Sequence, residues 1–580
     1  MQNISKEGIM NRVFILLLVL LSVNVHAQSV VQRSVENPGI TPYINYNAFD
    51  RNKDHLLSSP HVKNVLVIFH WRDLEPTPGG FVFEEAIGQL LKETKKAGMG
   101  LALKLWVGPS SPEWLYENGV PLVQVTGGTD WKYPYYFSKE YERYFYRFID
   151  EFGKYAKKLS TEDVEHIHFL QVCEGSTGDT GPYQGASKPI NEAYEIAKED
   201  WMDYRMEVWE KYRTAMWKDG RTVLPLLFTD DGNTDRERDW QLANLREFGV
   251  KKGQFAHGYN HNYFLRLMDP WLNLQDKARQ KGVLLMARGE FDNILLRQDW
   301  VKEDLALVFY WSAFSALFHD INYWNPAISI IKEPEFFLDG LDMYNTHVSS
   351  LGDPSQAPLA FCAMRRMLDA ADTETFSEDI YGEANPKNED RFKKILSGFA
   401  SKGAKIGDDT KLGAGPIASR TRKSDNDIGW MVYRGNFFKH LEQIEPETTS
   451  EAYWNVDTTK YGRFVRTFKK EPNSQMYFSL DKQFFQSTKP QDVRIAIIYK
   501  DSGNGAWELL YNNGQEVASA GEIKNTGTDK WVEKVFTIED AVFNGKLDKN
   551  ADLILKYMSG DNTFFHLIEL ERTENVIKSN

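Results

Sequence analysis

From about residue 60 to residue 330, short apolar runs alternate with stretches whose apolar residues recur every three or four positions. The runs are "VLVIF" (65–69), "LALKLWV" (101–107), "PLVQV" (121–125), "HIHFLQV" (166–172), "VLPLLFT" (223–229), "QFAHGY" (254–259), "VLLMAR" (283–288) and "INYWN" (321–325). Runs this short, with little polar alternation, predict strands of a parallel sheet buried on both faces. The intervening segments, such as 83–98, 139–159 and 191–220, predict amphipathic helices. Eight such units in this span predict a (β/α)8 TIM barrel, an α/β fold. A doubly wound sheet would favour a glycine-rich first turn, and the segment after the first run reads "HWRDLEPTPGG" instead. Residues 350–400 again carry helical patterning and are expected to close the last unit of the barrel.

The period then changes. Polar, glycine-bearing residues 406–427 predict a linker. Beyond them "RFVRTF" (463–468), "QMYFSLD" (475–481), "VRIAIIYKD" (493–501), "AWELLYNN" (506–513), "WVEKVFTI" (531–538), "DLILKYMS" (552–559) and "FFHLIELER" (564–572) alternate and are separated by Asn, Gly and Asp. This spacing predicts an antiparallel β-sandwich. The expected organisation is therefore a barrel over 28–405, a linker over 406–427 and a sandwich over 428–580, behind an N-terminal segment 1–27. That segment has a basic residue at Arg12, an apolar core from Val13 to Leu21 and small-residue spacing ending at Ala27. It has the order of a secretory signal and is too short to span a membrane, so export is expected.

Composition narrows the partners. With 69 basic and 82 acidic residues the net charge is −13, which gives no basic field for a nucleic acid backbone. The 35 Phe, 27 Tyr and 16 Trp fill cores and also supply flat faces that stack on sugars. The two cysteines, Cys173 and Cys362, are too few for a disulfide framework and read as free thiols.

Barrel chemistry sits at the C-terminal ends of the strands. That rule selects Glu174, in "VCEGS" after the run 166–172, and Glu290, in "ARGEFDN" after the run 283–288. Counted along the chain, they follow the fourth and the seventh strands. Opposed carboxylates on one rim are the equipment for glycosidic cleavage: one protonates the leaving oxygen, the other attacks the anomeric carbon. Glu75, Glu113, Asp179, Asp230, Asp231 and Asp292 compete for these roles. The glycines and hydroxyls of "GSTGDTG" (175–181) lack the Gly-Lys-Ser/Thr ending of a phosphate loop.

The stretch "FHWRDLEPTPGGFVFEEAIGQLLKETKKAGMGLALKLWVGPSSPEWL" (69–115) resembles the opening of the large clan of retaining glycoside hydrolases on (β/α)8 barrels, which includes β-galactosidases, endoglucanases and agarases. Pro112 to Trp114 is similar to a Pro-x-Trp of the β-galactosidase branch. The resemblance covers about residues 60–330. It implies an acid/base after strand four and a nucleophile after strand seven, the places of Glu174 and Glu290. It also implies an Asn just before the acid/base; here Cys173 stands there, and a thiol is a poor donor and acceptor.

Around the pair, the implied substrate-binding residues are His70 and Arg72 after the first run, Trp106 and Trp114 after the second, His257, Tyr259 and Asn260 after the sixth, and Trp324 on the eighth. Arg72 either fixes the nucleophile or pairs with Asp73 or Glu75. Tyr259 or His257 resembles the clan's partner of the nucleophile. Trp324 resembles its aromatic floor. No metal or cofactor is expected. The functional expectation is an exported retaining β-glycosidase acting on a poly- or oligosaccharide, with a galactose-containing algal-type galactan as the substrate. A β-glucan or β-mannan hydrolase of the same clan is the alternative, and a non-catalytic glycan-binding protein on a decayed barrel stands beside both.

Overall fold

The computed structural model describes residues 35–127, 131–176, 180–185, 187–230, 234–252, 263–291, 296, 305–366, 372–384, 388–403 and 435–573. The expected signal (1–27) and linker (406–427) lie outside these residues, as do His257, Tyr259 and Asn260. No described helix is long and apolar enough to cross a membrane.

Eight parallel strands close into a barrel in chain order. The first is split by Pro42, which has no N–H for the ladder. Its front half, Gly39–Ile40, pairs with the eighth strand, and its rear half, Tyr43–Asn45, pairs with the second. The Thr41 N–H donates to Trp324 O and the Leu66 N–H to Pro42 O, so the seam is hydrogen-bonded on both sides. The second to fifth strands are Asn64–His70, Gly100–Trp106, Ile167–Gln171 and Leu226–Thr229. The sixth to eighth are Glu247–Lys251, Leu284–Phe291 and Tyr323–Pro326.

Three expectations change at this level. The strand Gly39–Asn45 was not foreseen, because its Pro and its shortness hide it. The run 121–125 is not a barrel strand: Leu122–Gln124 pairs with Lys132–Pro134 as a separate hairpin. The sixth strand is Glu247–Lys251, upstream of the expected 254–259, which lies outside the described residues. The first two changes cancel in the count, so Glu174 still follows the fourth strand, while His70 ends the second and Trp106 the third.

Strand residues alternate between the lumen and the helix layer. Leu66, Ala102, Phe169, Leu227, Met286 and Tyr323 form one apolar cluster that plugs the lower lumen. Two residues further along the third, fourth, seventh and eighth strands stand Lys104, Gln171, Arg288 and Asn325, which form a polar layer above the plug.

The helices bury the opposite face. Phe83–Ala97 presents Phe83, Ile87, Leu90 and Leu91 inward and ends at Gly98, whose φ of 69° suits glycine. Ser138 caps Lys139–Lys158 by accepting from the Tyr141 N–H. The helix Leu305–Phe318, "LALVFYWSAFSALF", is apolar all round, a pattern that demands burial on every side. The C-terminal domain supplies the outer cover: Trp311 packs edge-on against Phe464, and Tyr310 Oη lies 2.8 Å from His566 Nε2.

That domain is a pair of antiparallel sheets of seven and five strands around its own apolar core. All seven expected strands form, and Val517–Lys524 is added as an edge strand on the five-stranded sheet. Its boundary differs from expectation. Leu359–Ala363, within the stretch assigned to the barrel and read as helical, is a strand pairing with Phe564–Arg572 and with Phe437–Lys439. The C-terminal sandwich thus begins before the linker. Cys173 and Cys362 are both buried and free.

Candidate active site

The site is built on the C-terminal ends of the barrel strands, and its centre is Glu290. On the seventh strand, Met286, Arg288 and Glu290 share the lumen face. Arg288, fully buried, reaches across the lumen: its Nε donates to Gln171 Oε1 on the fourth strand at 2.7 Å, and its NH1 to Asn325 Oδ1 on the eighth at 2.8 Å. Its NH2 donates to Glu290 Oε1 at 2.9 Å, and Lys251 Nζ on the sixth strand lies 3.2 Å from Glu290 Oε2. Each carboxylate oxygen therefore has one cation. Burial would raise this carboxyl, but the charges of Lys251, Arg288 and Lys104 outweigh it and hold Glu290 well below the usual carboxylate range. Glu290 is an ionised carboxylate at the mouth of the barrel.

Lys104 on the third strand is 2% exposed and stands over the Trp106 ring at 5.1 Å. Burial pushes its ammonium down to about 8, with Arg288 and Lys251 adding to the effect and Cys173 and Glu290 opposing it. Cys173 lies among the same cations, and burial lifts its thiol to about 11, so it is a neutral thiol at neutral pH.

Glu174 has other surroundings. One residue beyond Cys173, it turns toward the helix Lys198–Met216, where Arg205 Nε donates to Oε1 at 2.6 Å and Trp209 Nε1 donates to the same oxygen at 3.3 Å. Arg205 also donates to Glu237 Oε1 at 2.5 Å and to Thr229 O at 3.1 Å. Oε2 of Glu174 accepts no hydrogen bond among the described residues, and the side chain keeps 7% exposure. Burial raises its carboxyl above the usual range, and Arg205 and Trp209 only partly offset this. The two glutamates share no partner among the described residues.

Of the expected substrate-binding residues, the structure brings His70 and Trp106 to the rim together. Their rings meet edge-on at 5.3 Å, and His70 Nδ1 lies 2.7 Å from Ser110 Oγ. Burial and the nearby Arg72 charge lower His70, so it is neutral at neutral pH. Arg72 is exposed and donates to Pro109 O at 3.1 Å, with His70 Nδ1 3.4 Å away, and not to Glu290.

Two tryptophans are corrected. Trp324 is fully buried on the helix side, stacked on Phe309 at 4.5 Å, because strand alternation gives the lumen to its neighbour Asn325. Trp114 is buried too, and its Nε1 donates to Glu75 O at 3.1 Å. Glu75 itself is a structural acceptor for Trp71 Nε1, the Gly79 N–H and Arg147. Asp230 is fully buried and paired with Lys252 and Arg238.

Lys104, Gln171, Lys251, Arg288 and Asn325 were not foreseen as a group. Lys104 had a signal: it is a single cation on a strand whose neighbours are apolar, a placement that demands a reason. No group of three or more His, Cys, Asp or Glu able to hold a metal occurs among the described residues.

No family model and no curated protein matches the sequence. Solved structures do. The chain is similar to a β-galactosidase from the psychrophilic Marinomonas ef1, at 12% identity over 50% of this chain and 53% of that one, with a TM-score of 0.33. It is similar to xylanase 10B from Thermotoga maritima, at 9% identity over 50% of this chain and 83% of that one, with a TM-score of 0.31. It is also similar to the C-terminal CBM6 of LamC from Zobellia galactanivorans, at 14% identity over 23% of this chain and 99% of that one, with a TM-score of 0.16. The chain thus spans about half the length of the β-galactosidase. At these scores the barrel rests on its own strand pairing.

Proposed function

We propose that this chain is a retaining glycoside hydrolase acting on a poly- or oligosaccharide. The observation that carries the reading is Glu290, a carboxylate at the end of the seventh barrel strand, held ionised and oriented by a cation on each oxygen. An ionised, fixed carboxylate in a barrel mouth suits attack on an anomeric carbon. Glu174, with its raised carboxyl, is the acid: it protonates the departing oxygen, then deprotonates the water that releases the sugar. This role uses Oε2, the oxygen that Arg205 and Trp209 leave open. His70 and Trp106 line the rim where the sugar enters. Export on the N-terminal signal pattern belongs to the same reading.

The galactan expectation loses one support, because the Pro-x-Trp tryptophan, Trp114, is a core residue bonded to Glu75. The proposal therefore keeps the reaction class, with β-galactan as one candidate sugar among β-glucan and β-mannan.

The test is Glu290→Gln against a panel of defined oligosaccharides with products read by mass. Lost hydrolysis with retained binding supports the reading, and unchanged turnover overturns the nucleophile. The first-formed anomer, followed by NMR, tests retention: an inverted product excludes the two-step mechanism. A second reading, a glycan-binding barrel without turnover, is favoured by one observation, the capture of Glu174 Oε1 by Arg205 on the helix side. It predicts binding without hydrolysis in the unsubstituted protein.

A further inference from the structure

The cations at the barrel mouth are unevenly matched. Lys251 and Arg288 both end on Glu290. Lys104 sits in the same lumen at 2% exposure and makes no ion pair and no hydrogen bond with any described residue. Beside it, the indole Nε1 of Trp106 is buried and also has no acceptor. Two neighbouring donors on the lumen side of one strand, one of them cationic, therefore have no acceptor among the described residues.

An ammonium on a buried side chain that meets a ring face but no anion among the described residues is costly, and an apolar residue would fill the position at lower cost, as Leu103 and Leu105 do on the opposite face of the same strand. Retaining a lysine there makes sense where a ligand supplies the missing acceptor. The neutral Cys173 thiol nearby is a weak acceptor. Glu290 is already doubly satisfied. What matches an ammonium set over an indole whose own N–H lacks an acceptor is an anionic oxygen group, a carboxylate or a sulfate ester, carried on the sugar ring.

We infer that Lys104, assisted by Trp106, is a specificity-determining receptor for an anionic group on the sugar bound beside Glu290, so that the substrate class is an acidic saccharide: a uronic acid or a sulfated sugar. This rests on the glycosidase reading for its site and adds the charge of the substrate.

The test compares matched pairs: an aryl β-galactoside with its sulfate monoester, and an aryl β-glucoside with the β-glucuronide. Unsubstituted protein is expected to favour an anionic member by about tenfold or more in kcat/KM, the scale of one charge-assisted hydrogen bond. The pair that shows the preference identifies sulfate or carboxylate. Lys104→Met abolishes the preference: its rate loss on the anionic member exceeds its loss on the neutral member by about tenfold, whatever common loss follows from taking one charge away from Glu290. Lys104→Arg retains it. Thermal unfolding checks the variants, with Lys104→Met expected at least as stable as the parent because a buried charge is gone. Should Lys104→Met fail to fold, the preference of the unsubstituted protein and of Lys104→Arg decides.

Equal turnover of both members of every pair, or equal loss on both in Lys104→Met, overturns the inference while leaving the glycosidase reading intact. Should no glycoside be cleaved, calorimetry with free glucuronate and galactose sulfate against glucose and galactose separates the two claims. Selective binding of an anionic sugar that disappears in Lys104→Met supports the receptor and sinks the glycosidase reading; absence of selective binding sinks both.

Discussion

Glu174 and Glu290 occupy comparable stations, at the exits of the fourth and seventh strands, and their environments are opposite. Glu290 faces the lumen, with a lysine on one oxygen and an arginine on the other. Glu174 faces the helix layer, with both of its donors on one oxygen. The same residue type, nearly as deeply buried, is thereby driven in two directions: one carboxyl well below the ordinary range, the other above it. Burial pushes both upward, so the number and placement of cations decides the sign. A pair of carboxyls separated in this way is what an acid and a nucleophile require.

The two glutamates differ most in what their loss would do to turnover. Glu290→Gln is expected to lower kcat by about four orders of magnitude or more, since it removes the covalent step, and steady-state turnover reads this directly. Glu174→Gln is expected to cost about two to four orders on substrates with poor leaving groups and much less on aryl glycosides with acidic ones, because only the former need a proton. An equal loss on both would remove Glu174 from the acid role.

Arg205→Met addresses stability. It strands Glu174 and Glu237 without their shared cation and is expected to cost about 3–5 kcal/mol in urea unfolding. It also removes a charge that lowers Glu174, so the alkaline limb of the pH–rate profile moves to higher pH.

The smallest effect is at Lys251. Because Glu290 is depressed in the folded state, its contribution to stability is present above the ordinary carboxylate value and is lost as pH falls through the folded value. Lys251→Met narrows that gap. The acid limb of kcat/KM is then expected to move up in pH, because one cation neighbour of the carboxylate is gone, and the extra stability between the ordinary and depressed values shrinks. An unmoved acid limb would show that another group governs it.

Much of this architecture was legible in the chain. The apolar runs at 65–69, 101–107, 166–172 and 283–288 are barrel strands, and every expected strand of the sandwich exists. The first barrel strand was hidden by Pro42, the hairpin at 121–125 was mistaken for a barrel member, and the order survived because these two changes cancel. Leu359–Ala363 read as part of a helix because its apolar density is the same in either structure. The site was legible in part. Acids after strands were found by position, whereas Lys104, Gln171, Arg288 and Asn325 emerged only as a layer.

Local patterning determined the element types, their approximate bounds and the two glutamates at strand exits, because periodicity and strand ends are properties of neighbouring residues. The direction of each side chain depended on closure of the barrel. A shift of one residue along a strand exchanges lumen for helix layer, which placed Trp324 in the core, Asn325 on Arg288, Cys173 among the cations and Glu174 on Arg205. Charge pairing across the lumen joins residues as distant in the chain as Gln171 and Arg288, and no local pattern encodes that distance. The ionisation of Glu290 and the isolation of Lys104 are therefore decisions of the tertiary structure.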